Sequence, residues 1–205
     1  MLRSNLSRIP RGAIATLLFA IALLPACTAT RITSVWKDPA LGPFQFRRVV
    51  GIAMSQDTAL RRLAEDEFVR AVGAPTAVAG YSIVPDDEMQ NKDQVRARIE
   101  AAGVDGAVVF RVAGVETQER WVPPTYYGDA WGYWGFAAPM VYQPGYLTTD
   151  RIVQVETNAY QVQNARLVWS ARSETIDPKD AQQMIDEVVD ETVKAMRKDG
   201  ILPAQ

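Results

Sequence analysis

The chain contains no histidine and a single cysteine among its 205 residues. Without histidine it cannot build a Ser-His-Asp or Cys-His nucleophile, a histidine-ligated zinc site or a histidine pH switch. With one cysteine, no disulfide can form within the chain, so the stability of the fold has to come from packing. The sequence therefore excludes several common hydrolase mechanisms before any motif is considered.

Basic residues are also too few for a nucleic-acid partner. Without its first 26 residues, which hold three arginines and no acidic residue, the chain has 19 basic and 24 acidic side chains and a net charge of −5. Phosphate binding needs a basic stripe, and the sequence shows none. The length and apolar content suit one compact domain with its own core.

The amino-terminal residues have the three parts of a secretory signal peptide. Arg3, Arg8 and Arg11 come before an apolar run at residues 12–24, and small residues precede Cys27. As a helix, this run spans about 20 Å, which is less than the roughly 30 Å hydrocarbon core of a bilayer. We therefore predict a signal peptide at residues 1–26.

The residues Leu24-Pro25-Ala26-Cys27 resemble the bacterial lipobox. In that motif a thioether to diacylglycerol forms on the cysteine, the signal peptide is cut just before it, and the new amino terminus is acylated. The resemblance implies diacylglycerol and an acyl lipid such as palmitate on Cys27, and no other cofactor. Thr28 stands where related bacterial systems use aspartate for inner-membrane retention, which implies the periplasmic face of the outer membrane. An ordinary signal peptide and an uncleaved anchor are the alternatives.

After the signal peptide, we predict a lipidated cysteine with a tether at residues 27–45 and one globular domain at residues 46–205. The tether is rich in Thr, Ser, Pro and Gly and shows little periodicity. Within it, Trp36-Lys37-Asp38-Pro39 either docks on the domain or anchors at the membrane interface. We favour docking.

The first part of the domain predicts alternating strands and helices. Nearly continuous apolar runs indicate buried strands, and apolar stripes at helical spacing indicate the helices between them. Crossovers that run in opposite directions place their helices on opposite sheet faces. The predicted strands are residues 47–54, 81–84 and 107–112, and the predicted helices begin at Asp57 or Thr58 and at Asn91 or Asp93, and end at Gly73 and Gly103.

The second part predicts an antiparallel pair of strands and a long helix. Residues 150–162 alternate between apolar and polar, Gln163-Asn164 form a turn, and residues 165–171 return as a strand. Asp177-Pro178 then begin the last helix. The fold class is α/β (α+β), with a mixed five-stranded sheet in the element order β-α-β-α-β-β-β-α, a strand order of 2-1-3-4-5, and helices packed on the sheet.

Several segments together resemble a known group of proteins. They are Trp36-Lys37-Asp38-Pro39, Val49-Val50-Gly51-Ile52, Tyr142-Gln143-Pro144-Gly145-Tyr146, Glu156-Thr157-Asn158 and Leu167-Val168-Trp169-Ser170. With them, residues 36–202 resemble uncharacterised bacterial lipoproteins that carry a domain of unknown function. More distantly, the order of elements is similar to the amino-terminal domain of TolB. The resemblance implies no catalytic residues.

An aromatic insert occupies residues 121–149, and half of the eighteen aromatic residues of the chain lie in it. A long loop without periodicity is usually functional or disordered, and so many aromatics argue against disorder. The insert either covers part of the sheet or forms a contact surface for a protein, a membrane interface or a glycan. The candidate contact residues are Trp131, Tyr133, Trp134, Tyr142 and Tyr146.

Carboxylates follow two of the predicted parallel strands, where open α/β sheets place ligands. Asp57 follows the first strand, and Asp86, Asp87 and Glu88 follow the second. Together they could bind a hard divalent cation, although helix caps and solvated turns are the more ordinary interpretation. Residues 65–67, all acidic, are interpreted as a solvated helix face.

From these patterns we predict a lipid-anchored envelope lipoprotein that binds or assembles and is not an enzyme. Its partners are the membrane, through the lipid, and a candidate partner protein of the envelope. One alternative is a metal-dependent hydrolase that uses the carboxylates after the first two strands. Another is a glycan-binding module built on the aromatic insert.

Overall fold

The computed structural model of the chain describes residues 30–127 and 141–204. In these residues a six-stranded mixed sheet has the order β1-β8-β7-β4-β2-β3, and β5 and β6 form a separate pair. The elements are β1 (Thr30–Lys37), β2 (Val49–Ala53), α1 (Thr58–Val72), β3 (Ala77–Ala79), a 3₁₀ turn (Gly80–Ser82), α2 (Lys92–Ala101), β4 (Gly106–Val122), β5 (Thr125–Tyr127), β6 (Val141–Gln143), β7 (Tyr146–Gln161), β8 (Arg166–Ile176) and α3 (Ala181–Lys198).

The mixed α/β class is confirmed, because β2 pairs in parallel with β3 and β4 while β4, β7, β8 and β1 pair antiparallel in turn. The predicted neighbour order is also present, with a sixth strand added beside β8. Within the described residues, no helix combines the length and apolarity needed to cross a bilayer.

The added strand corrects the predicted tether at residues 27–45. Thr30–Lys37 pair with β8 as an edge strand, with a bulge between Ile32 and Ser34. Most of these side chains are exposed, so the strand carries no apolar alternation that a sequence pattern could reveal. Asp38 then turns inward and pairs with Arg166. The segment around Trp36 therefore docks through its backbone, while the indole stays half-exposed.

The second predicted strand, residues 81–84, is also wrong. The strand is Ala77–Ala79, and a 3₁₀ turn at Gly80–Ser82 follows it. The apolar residues that suggested a strand lie in this turn and just after it. Val84, two residues past the turn, is fully buried. Burial alone does not distinguish a strand from a packed turn.

Local capping chemistry places the starts of the first two helices as predicted. Asp57 accepts the backbone N–H groups of Ala59 and Leu60, at 2.8 and 3.1 Å, and Asn91 caps α2 in the same way. The last helix begins later than predicted, because its cap is Asp180. Asp177 instead adopts a left-handed φ of 48° and accepts the Arg151 backbone N–H at 2.6 Å, closing a turn against β7.

The helices cover opposite faces of the sheet, as the crossover directions predicted. α1 and α3 pack on the face that carries Phe110 and Trp169, together with Phe68 and Met196 from the helices themselves. α2 packs on the other face against Val50 and its neighbours. The central strands separate the two cores. On the first face, α1 and α3 lie side by side.

Two strands run past the sheet. β4 and β7 pair along sixteen positions, whereas β8 ends at Ile176, which lies opposite Ile152 of β7. Beyond that level, residues 117–122 of β4 and 146–151 of β7 pair with each other as a two-stranded ribbon, called here the β-arm. The arm projects from the sheet end at which β2, β4 and β8 have their carboxyl ends.

Candidate functional site

Most of the predicted contact and lipid-bearing residues lie outside the described part of the chain. This applies to Cys27, Trp131, Tyr133 and Trp134. Two members of the predicted set can be placed. Tyr142 lies in β6 opposite Tyr126, and Tyr146 lies on the β-arm with a half-exposed side chain.

The four predicted metal-binding carboxylates do not converge. Asp57 caps α1, and Asp86 is held by Arg61 and Arg62 at 2.6 and 2.9 Å. Glu88 pairs with Arg98 at 2.6 Å, and this hydrogen bond lowers the pKa of Glu88. Asp87 is exposed. Across residues 30–127 and 141–204, no three His, Cys, Asp or Glu side chains are placed to hold a metal ion.

A buried ion pair in α1 corrects the solvated interpretation for two of residues 65–67, whereas Asp66 is exposed as predicted. Glu65 is fully buried and accepts Nε of Arg61 at 3.0 Å and the backbone N–H groups of Ala53 and Tyr81 at 3.1 and 2.6 Å. Glu67 is buried too, against Arg70. Glu65 therefore joins the end of β2 to the turn after β3. The signal for this pair was the arginine four residues before Glu65, on the helix face that the core uses.

An apolar cleft lies between α1 and α3, at the carboxyl end of β2. It encloses about 110 Å³. Leu60 from α1, Met184 and Val188 from α3, and Phe110 and Val112 from β4 line it. Among described residues, Ser55 and Arg111 also border it, but the Arg111 guanidinium bonds to Glu156 on the opposite face of the sheet. Both Met54 and Leu60 at this cleft leave much of their side chains exposed to water. The cleft can hold an apolar group, and its walls offer little hydrogen-bonding capacity.

The apolar surface continues from the cleft onto the β-arm. Val112 and Val115 of β4 are both half-exposed, and Val115 lies opposite Val153. Trp121, six residues further, falls on the same strand face as Val115 because side chains alternate. It lies opposite Leu147, and both side chains are more than half exposed. Large exposed apolar side chains gathered at one end of a domain mark a contact surface.

The opposite sheet face beside α2 has a different character. A carboxylate oxygen of Glu156 accepts Asn158 Nδ2 at 2.7 Å, and the other accepts Arg111 at 3.1 Å. These contacts, with that of Asn158 first, lower the pKa of Glu156. Arg172 approaches the same carboxylate at 3.9 Å, and Glu174 next to it pairs with Arg31. This face is an exposed charge network.

The fold and these surfaces describe a mixed α/β domain with an apolar cleft and a projecting arm. No protein-family model and no curated protein matches the chain. Among solved structures, it is similar to a PelC dodecamer from Paraburkholderia phytofirmans, with 13% identity, a TM-score of 0.42, and coverage of 80% of this chain and 94% of that chain. A PelC variant dodecamer from the same organism gives 16% identity, a TM-score of 0.41, and coverage of 86% and 98%. These similarities are too distant to assign a family.

Proposed function

We propose that the chain is a lipid-anchored protein of the bacterial envelope that acts by binding or assembly and not by catalysis. The lipid is carried on Cys27, which the lipobox-like residues before it support. The anchor lies in the outer membrane and faces the periplasm. The observation that carries the binding function is the open apolar cleft between α1 and α3.

The chemistry of the cleft favours recognition over reaction. Its walls are aliphatic and aromatic carbons. Of the polar residues among the described ones that border it, Ser55 and Arg111, the arginine is engaged by Glu156 on the opposite face of the sheet. Binding an apolar group in such a concavity is favourable by about 25 cal/mol for each Å² of apolar surface removed from water. The partner that fits is an envelope protein that presents a small apolar side chain or cluster. The aromatic insert remains a second candidate contact surface.

The geometry gives the metal-dependent hydrolase alternative no support. Asp57, Asp86 and Glu88 are each engaged by a helix end or by arginines, so binding a cation there would first require those contacts to break. The glycan-binding alternative depends on Trp131, Tyr133 and Trp134, which lie outside the described residues. The apolar cleft, which the described residues form, supports protein binding instead.

Anchoring is tested with a Cys27→Ser variant in bacteria that receive labelled palmitate. Wild-type protein should take up the label and sediment with membranes, because two or three acyl chains hold a protein durably. The variant should take up none and lose that attachment. Unchanged membrane partition of the variant would contradict the proposal.

Binding is tested by placing a photo-crosslinking residue at Met54, beside the cleft. A specific adduct is expected from intact cells, and a second substitution, Leu60→Glu, should abolish it by placing a charge at the apolar wall. The matched control carries the crosslinker at Gln163, an exposed turn position at the other end of the sheet. Identical adducts at both positions, or none at Met54, would count against a binding role for the cleft.

A further inference from the structure

The structure shows at which end of the domain the chain enters the sheet. Thr30, the first described residue, lies opposite Thr175 in β8, which lies opposite Val153 in β7, which lies opposite Val115 in β4. These four residues form one row across the sheet. The segment before Thr30 therefore arrives at the end of the sheet from which the β-arm projects.

The distance that Cys27 can reach beyond the sheet can be compared with the distance that the β-arm extends beyond it. Cys27 precedes Thr30 by three residues, which span at most about 11 Å when fully extended. Trp121 lies six residues beyond Val115, or about 20 Å along the strand. The tip of the arm therefore extends roughly 10 Å further than the sulfur of Cys27 can, which is about the depth at which interfacial elements bury their apolar side chains.

The outer end of the arm, where the chain passes from β4 into β5 and returns from β6 into β7, carries the residue types that membrane interfaces favour. Trp121 is 58% exposed, Tyr146 47% and Leu147 62%. Trp and Tyr place an apolar ring and a polar edge at the level of the lipid headgroups. Pairing between the two strands satisfies their inward-facing backbone groups, and water and lipid headgroups at an interface can bond the outward-facing ones. Just behind the tip, Arg120 pairs with Asp150 at 3.4 Å.

We propose that the tip of the β-arm, with Trp121, Tyr146 and Leu147, inserts into the interface of the leaflet that holds the lipid of Cys27. This rests on the proposed anchoring. The arm contains two acidic and two basic residues, so anionic headgroups do not repel it. Attachment at two points fixes the orientation of the domain and holds the α1/α3 cleft close to the membrane surface.

The test uses the mature lipidated protein in vesicles of phosphatidylethanolamine and phosphatidylglycerol. Because a thioether blocks Cys27, an introduced cysteine is the only free thiol. Leu147→Cys and the control Gln163→Cys, both at exposed positions, are labelled with an environment-sensitive fluorophore. We expect the fluorescence emission of the label at position 147 to shift to shorter wavelength on vesicle binding and to be quenched by nitroxide-labelled lipids. The label at position 163 should respond to aqueous iodide instead.

The outcomes separate the insertion from the anchoring. Vesicle-bound protein whose labels respond alike at positions 147 and 163 would overturn insertion and leave the anchor intact. A label at position 147 that is shielded from iodide but insensitive to nitroxide lipids would indicate a protein contact and would also overturn it. Wild-type protein that reacts with the fluorophore or fails to float with vesicles would contradict both the anchoring and the insertion. A second substitution, Trp121→Ser, should reduce lipid quenching at position 147 and leave flotation unchanged.

Discussion

Two ion pairs in successive helices, on opposite faces of the sheet, have the same residue types and spacing and differ in burial. In α1, Arg61 and Glu65 are four residues apart and 3.0 Å from each other, with side chains 3% and 0% exposed. In α2, Arg96 and Glu100 have the same spacing at 2.7 Å, with side chains 66% and 46% exposed. Geometry alone therefore does not give the stability that an ion pair supplies. Solvent decides it.

The buried pair is part of a closed set of contacts. Glu65 accepts two backbone N–H groups besides the guanidinium, and Arg61 also donates to the Val84 carbonyl at 3.1 Å and to Asp86 at 2.6 Å. Removing one partner leaves the other charged and out of water, which is costly. The exposed pair in α2 loses little when broken, because water replaces the missing partner.

The largest predicted effect tests this difference directly. Glu65→Ala should lower the free energy of unfolding by about 3–5 kcal/mol, because it removes the partner of Arg61 Nε and of two backbone donors in the core. Glu100→Ala, the matched control, should lower it by about 0.5 kcal/mol or less. Urea denaturation of both variants measures the two values. Equal losses would show that burial does not separate the pairs.

A smaller effect is expected when a methyl group is pressed against the buried network. A Cβ at Gly80 would lie 2.8 Å from the carbonyl oxygen of Gly51 and 3.1 Å from both carboxylate oxygens of Glu65. Gly80→Ala should therefore cost about 1–3 kcal/mol. At Gly114, near the exposed charge network, the nearest atom lies 3.8 Å away, in ordinary contact. Gly114→Ala should be neutral or slightly stabilising in the same denaturation experiment.

On the exposed face, the contribution of Glu156 should depend on pH. The pKa of Glu156 lies below its ordinary value of 4.5, chiefly because Asn158 and Arg111 donate to the carboxylate. Its stabilisation is therefore present above about pH 4.5 and is lost as the pH falls through the lowered folded-state pKa. Glu156→Gln should lose less than about 1 kcal/mol at pH 7. The gap to wild type should close in acid; a gap that persists there would assign the loss to packing. Exposed Glu119→Gln is the control.

The smallest effect is expected at Arg172, which is 3.9 Å from the carboxylate of Glu156 and about half exposed. Arg172→Gln should change the free energy of unfolding by about 0.5 kcal/mol or less at low salt. In 1 M salt, where the Debye length is about 3 Å, the difference should disappear. A larger loss that resists salt would mean that this face behaves like the buried network.

Local chemistry explains which parts of the fold could be predicted from the sequence. Asp57 and Asn91 cap their helices through their own side chains, so the sequence around each was sufficient to place it. β1 could not be predicted, because its partner β8 is more than a hundred residues away and most of its side chains face water. The extension of β4 to Val122 depends on pairing with β7 in the same way.

The candidate site was harder to predict than the fold. Leu60 is an apolar residue of α1 that lines an open cleft because of how α1 and α3 are positioned relative to each other. No single segment carries that information. The burial of Glu65 was missed for a related reason: its acidic neighbours suggested a solvated face, while its partners Ala53 and Tyr81 lie in other elements.

The way β1 joins the sheet has a mechanical consequence. Tension that reaches the domain through the segment before Thr30 is directed along β1, whose seven paired positions with β8 lie side by side. A pull parallel to the strand loads these hydrogen bonds together, whereas a pull across the sheet would peel them one by one. At the other end of β1, Lys37 donates a further hydrogen bond to the Asp199 carbonyl at 2.6 Å. The domain should therefore resist lengthwise traction far better than sideways traction.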